Sequence, residues 1–78
     1  MKQKEVTVFS TPSCPWCSTV KIYLEEKGVK FTDYDVSRDH ERAKKMISRS
    51  GSMGVPQLWI GDEVIVGFDQ AKIDQLLG

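Results

Sequence analysis

Neither sign of charge is in excess in this 78-residue chain, in which eleven Lys and Arg offset eleven Asp and Glu for a formal net charge of zero. Such a balance gives no electrostatic pull towards nucleic acid or an anionic membrane, so neither is expected as a partner. Long apolar runs are missing too. The longest are a few residues, far short of the roughly 20 that cross a bilayer, and Val6-Thr7-Val8-Phe9 is too short for the apolar region of a secretory signal. The expectation is a cytoplasmic protein. Cysteine is scarce, with only Cys14 and Cys17 present. A structural disulfide stabilises mainly by closing a long loop in the unfolded chain, and a pair three positions apart closes very little. Zinc normally takes four ligands, and the single histidine, His40, is the only other soft donor. No metal is therefore assigned; a metal or iron–sulfur cluster carrier would need Cys14 shared across a dimer. No repeat, low-complexity stretch or second domain is visible, so residues 1–78 read as one domain.

What is present is 40% apolar residues, enough for one small core. Val6-Thr7-Val8-Phe9 reads as a strand, rich in β-branched and aromatic residues. The turn Ser10-Thr11-Pro12-Ser13 leads to a helix from Cys14, in which Pro15 suits the first turn. Val20, Tyr23 and Leu24 form its buried stripe, and Gly28 stops it. A second strand is expected over 30–36, then a helix capped by Ser37, with Asp39 and Glu41 in its first turn. Ala43, Met46 and Ile47 form the apolar side of that helix, and Gly51 ends it. Leu58-Trp59-Ile60 and Val64-Ile65-Val66 make a hairpin about Gly61-Asp62. Asp69 then caps a last helix carrying Ile73, Leu76 and Leu77. The order β-α-β-α-β-β-α implies an α/β fold. Its four-stranded mixed sheet holds a parallel crossover followed by an antiparallel hairpin, with three helices covering its faces.

Two cysteines at this spacing beside a strand–helix–strand pattern read as a redox pair. The free N–H groups and dipole of a helix N-terminus favour an anion, so Cys14 is expected to be the thiolate nucleophile. Cys17, one turn further in, is expected to be buried and to act second. In thiol–disulfide exchange Cys14 would form a mixed disulfide, and Cys17 would then resolve it. Trp16 should be exposed within the motif.

With these residues placed, the chain resembles the glutaredoxins, of the thioredoxin-fold group, from Val6 to Leu77. Cys14-Pro15-Trp16-Cys17 matches the family's cysteine motif. Gly54-Val55-Pro56 is similar to its cis-proline segment, and Gly67-Phe68-Asp69 to its second substrate-contacting turn. The resemblance implies a disulfide oxidoreductase with no bound cofactor. Its substrates would be disulfide-containing proteins or glutathione mixed disulfides, and it would act as a monomer. It also implies a cis Pro56 beside the cysteines, and a Val55 backbone that pairs with the substrate. Substrate contacts would come from Thr11, Pro15, Trp16, Val55, Pro56, Gly67, Phe68 and Asp69. The family's glutathione site carries a lysine where Thr11 stands, and paired glycines where Val66-Gly67 stand. Asp69 is retained, although an Asp there is equally an N-cap. Gly67-Phe68 is similar instead to the glutaredoxin-like electron donors of ribonucleotide reductase, some of which draw on thioredoxin reductase. Either glutathione or a thioredoxin reductase is thus the expected electron donor. Elsewhere His40 reads as a solvated first-turn residue, Trp59 as sheet packing, and Lys44, Lys45 and Arg49 as a solvated helix face.

Overall fold

A computed structural model describes residues 4–77. Seven elements follow the expected order: β1 (Val6–Ser10), α1 (Pro15–Glu26), β2 (Thr32–Asp35), α2 (His40–Ser50), β3 (Gln57–Ile60), β4 (Glu63–Val66) and α3 (Gln70–Leu77). The strands form one sheet in the order β2-β1-β3-β4. β1 runs parallel to β2 and antiparallel to β3, and β3 pairs antiparallel with β4. This is a thioredoxin-like arrangement of a four-stranded mixed sheet and three helices.

Strand alternation divides the side chains between two faces. Val6 and Val8 of β1, Leu58 and Ile60 of β3, and Ile65 of β4 are buried against Val20 and Leu24 of α1 and Ile73 of α3. The alternate positions face the other way. There Phe9 meets Trp59, ring centroids 4.6 Å apart, and Tyr34 at 6.0 Å. The side chains of α2 cover this second face, with Met46 buried. The register sets Val8 opposite Leu58, and Leu58 opposite Ile65, so the apolar residues of three strands line up across the first face.

β1, β3 and β4 each gain one residue over the sequence reading, Ser10, Gln57 and Glu63, and three further boundaries depart from it. β2 is four residues long rather than seven, because pairing with β1 runs only from Thr32 to Asp35. The α2 cap is Asp39, not Ser37: the Asp39 carboxylate accepts the Arg42 N–H at 3.1 Å, while Ser37 is held in a turn by Asp35. Cys14 lies just outside α1, as its N-cap. Gly51 does end α2, with a φ of 74° that disfavours a side chain.

Asp74 on α3 ties that helix to α1, accepting hydrogen bonds from the Tyr23 hydroxyl and from Lys27 Nζ. The Lys27 bond, then the Tyr23 bond, lowers the Asp74 pKa, and the Asp74 bond raises that of Lys27. A carboxylate depressed in the folded state adds stability above its unfolded pKa of about 3.9, and that stability is lost as pH falls through the folded value. Asp74→Asn is therefore expected to lower the melting temperature at pH 7. The difference should shrink as both proteins are acidified below about pH 4 and disappear once pH has passed the depressed folded value, where the wild-type carboxylate is neutral as well. The pair is partly solvated, so the effect should be small.

Candidate active site

β1 delivers the chain to the rim of the sheet, where 11–14 turn into α1. The Cys14 N–H donates to the Thr11 carbonyl and the Cys17 N–H to the Cys14 carbonyl, each at 3.2 Å. Cys14 has extended backbone at the N-cap, Pro15 falls in the first turn, and no acidic residue in that turn offsets the positive helix end. Both cysteines are free thiols. Cys14 is half-buried, and its thiol donates to the Val55 carbonyl at 3.7 Å. Cys17 is only 1% exposed.

Burial pushes the Cys17 thiol up to about 11, and a hydrogen bond to Cys14 adds to the rise; a Thr11 backbone hydrogen bond and the Lys21 charge oppose it. Lys21 lies four residues after Cys17 and thus on the same side of α1. Its ammonium is anchored by Asp33 of β2 at 3.1 Å. The other Asp33 oxygen accepts from the Ser10 hydroxyl at 2.7 Å.

The Val55–Pro56 bond is cis. The loop before it is held by Gln57, a fully buried side chain whose Nε2 donates to the Gly54 carbonyl at 2.8 Å and the Ser52 carbonyl at 3.0 Å. The Pro56 carbonyl accepts the Gly67 N–H at 2.8 Å, with Gly67 at a φ of 88°. These bonds place Val55, Pro56, Gly67 and Phe68 together with Trp16 around a cleft of about 200 Å³. Trp16 is 60% exposed and its ring lies 6.2 Å from that of Phe68, which in turn packs edge-on against Tyr23 at 5.5 Å.

Five of the sequence-derived contact residues are thus brought to one cleft. Thr11 is not among them. It borders a separate polar hollow of about 220 Å³ with Ser18, Lys21 and Asp33. Asp69 caps α3, its carboxylate accepting the Lys72 N–H at 3.1 Å. Gln57, Lys21 and Asp33 escaped the sequence reading. Only Lys21 carried a local signal, its four-residue spacing from Cys17. Gln57→Leu is expected to leave the Gly54 carbonyl without its donor and that of Ser52 with only the Ser50 hydroxyl, and to destabilise the fold by about 1–3 kcal/mol, read as a lowered urea midpoint at unchanged slope.

A family model described as Glutaredoxin matches residues 6–65. The chain belongs to the glutaredoxin family. It is 42% identical over 72 residues to an uncharacterized glutaredoxin-like 8.6 kDa protein in the rubredoxin operon of Clostridium pasteurianum, spanning 92% of this chain and 96% of that one. It is 34% identical over 64 residues to glutaredoxin 3 of Escherichia coli K12, spanning 82% and 77%. Among solved structures, the glutaredoxin-like NrdH-redoxin of Escherichia coli superposes with a TM-score of 0.84 at 25% identity, covering 92% of this chain and 93% of that one; its structure was described as the basis of a thioredoxin-like activity profile. This glutaredoxin is accordingly a thiol–disulfide oxidoreductase in the general sense of its family, whose members act with glutathione or reductases on disulfide substrates. Among the described residues no helix is long and apolar enough to cross a membrane, and no three His, Cys, Asp or Glu side chains gather into a metal site.

Proposed function

We propose that this glutaredoxin reduces disulfides through a dithiol cycle in which Cys14 attacks and Cys17 resolves. The observation carrying this reading is the contrast between the two thiols: Cys14 open at a helix N-terminus, Cys17 buried one turn inside with its proton firmly held. The Cys14 thiolate attacks one sulfur of the substrate disulfide and expels the other as a thiolate, leaving a Cys14–substrate disulfide. Cys17 then loses its proton and attacks the Cys14 sulfur. The substrate's second thiolate departs and is protonated, and two electrons have passed from the protein to the substrate. Part of what holds the proton on Cys17 is its interaction with Cys14. That interaction weakens once Cys14 is bonded to the substrate, whereas the Thr11 backbone and Lys21 remain. Resolution therefore becomes easier after the first step than before it. The cleft of Trp16, Phe68 and Pro56 offers apolar surface to the substrate segment beside the disulfide, and the Val55 backbone a partner for an extended chain.

The oxidised pair must be re-reduced, by glutathione or by a thioredoxin reductase. Thr11 brings no positive charge, and the charge of neighbouring Lys21 is already met by Asp33. One carboxylate of glutathione would then lack a charge-assisted bond, which is roughly twice as strong as a neutral one. Glutathione should support slow turnover, and thioredoxin reductase faster turnover. Thr11→Lys is expected to lower the apparent KM for glutathione by about tenfold, the equivalent of one charge-assisted bond. It should leave the thioredoxin reductase rate alone, because the Cys17 contact uses only the backbone at residue 11. Coupled assays with the two reductants test this. Equal glutathione kinetics in wild type and variant would overturn the assignment of that site.

A further inference from the structure

Phe68 forms one wall of the cleft at the cysteines and stands between two other rings, those of Trp16 and Tyr23. The centroids lie 6.2 Å and 5.5 Å away, within the roughly 4.5–7 Å at which aromatic pairs attract. Trp16 is exposed, so Phe68 is its neighbour on the protein side of the cleft. Phe68 belongs to the segment between β4 and α3, one residue before the cap Asp69.

Tyr23 is itself held from two sides. Its hydroxyl donates to Asp74 Oδ1, and the Lys27 ammonium stands 5.5 Å from its ring centroid. Lys27 also donates to that same Asp74 oxygen, at 2.8 Å. Tyr23 and Lys27 are neighbours on one side of α1, four residues apart, whereas Asp74 comes from α3. Tyr23 therefore touches the chain on both sides of the start of α3, at Phe68 through its ring and at Asp74 through its hydroxyl. That double contact fixes how the start of α3, and Phe68 with it, sits against α1, the helix that carries Trp16 and Cys17. Neither Tyr23 nor Asp74 lines the cleft, so both act on it only through Phe68.

We propose that Tyr23 and Asp74 are positioning residues for the substrate: their hydrogen bond holds Phe68, and through it Trp16, where an apolar segment beside the substrate disulfide can lie against both rings. The inference rests on the cleft being the substrate site, as assigned above. The bond sets how tightly a peptide with apolar residues next to its cysteine is held, and leaves the sulfur chemistry of Cys14 as it is. A disulfide with no side chain to place in the cleft gains nothing from it.

The test is single-turnover reduction, by the reduced full chain, of a symmetric peptide disulfide with a leucine on each side of its cysteine, beside hydroxyethyl disulfide. Tyr23→Phe keeps the ring and removes the hydroxyl; Asp74→Ala removes the acceptor. Each is expected to raise the half-saturating peptide concentration by about fivefold, the scale on which residues of a contact network affect a site they do not touch, at an unchanged plateau rate. Hydroxyethyl disulfide reduction should stay at the wild-type rate. Asp74→Asn keeps an acceptor oxygen and should hold the peptide nearly as wild type does. The Trp16 indole N–H resonance should move in Tyr23→Phe and Asp74→Ala, while that of Trp59, on the other face of the sheet, stays. Phe68→Ala is the reference and should weaken peptide binding more than either. If Phe68→Ala binds the peptide as wild type does, the cleft is not the substrate site and the reading beneath the proposal fails. If Phe68→Ala is weakened while Tyr23→Phe and Asp74→Ala are not, the proposal alone is overturned. It is likewise overturned if hydroxyethyl disulfide slows in proportion to the peptide, or if Asp74→Asn loses as much as Asp74→Ala.

Discussion

Disulfide reduction by the Cys14→Ser variant is expected to fall by about three orders of magnitude or more, the scale seen when a covalent nucleophile is removed. Serine keeps the shape of the site but not a sulfur able to exchange. Cys17 cannot substitute, being 1% exposed and holding its proton up to about pH 11. The Cys17→Ser variant should behave differently. Its Cys14 still attacks, but nothing inside the protein displaces the substrate, so a stable mixed disulfide accumulates. Mass spectrometry after mixing each variant with a disulfide substrate reads both outcomes. A covalent adduct on Cys14→Ser, or none on Cys17→Ser, would reverse the two roles.

The second large effect concerns pH. With the Cys17 thiol raised to about 11, its thiolate fraction at pH 7 is on the order of one in ten thousand, since each pH unit below the pKa lowers it tenfold. Iodoacetamide at neutral pH should therefore modify Cys14 first, with Cys17 slower than an ordinary thiol by at least about a hundredfold. The Cys17 rate should keep rising through pH 9 and 10. The stability consequence has the opposite sign from that of Asp74. The folded chain holds the Cys17 proton more tightly than the unfolded chain, whose thiol titrates near 8.5, so folding stability declines as pH rises through the interval between the two values. Cys17→Ser should flatten that alkaline decline. Equal alkylation rates for the two cysteines at pH 7 would contradict the assignment.

Element order and the location of the cysteines could be read from the residues because each rests on a local rule. Val6 to Phe9 is β-branched and aromatic, Pro15 starts a helix, and Gly51 stops one. Local rules failed where two were equally available. Ser37 and Asp39 are both good caps, and the choice between them follows from Asp35 engaging Ser37 first. Arg49, expected to be solvated, is exposed and in addition stacks on Trp59. Its helix position allows both, and the indole ten residues later supplies the contact. Gln57 donates to carbonyls three and five residues earlier, and Asp33 joins Ser10 to Lys21 from a different strand. No periodicity marks such contacts, because they come into being only when the loop folds back and β2 docks beside β1. The substrate cleft lies between the two cases. Its residues stand in three separate motifs, and family resemblance, rather than spacing, pointed to their meeting.

The strand order has a consequence for solubility. β1 and β3, with the apolar segments VTVFS and QLWI that could stack in cross-β fashion if exposed, occupy the two central positions. The backbone groups left open at the sheet margins belong to β2 and β4. Each is only four residues long, and they carry Asp33 and Asp35 on one margin and Glu63 on the other. Short, carboxylate-bearing edges repel a second edge of the same kind. The β2 margin is thus guarded by the least hydrophobic strand, TDYD, and the β4 margin by its shortness and Glu63, while β1 and β3 stay paired on both sides.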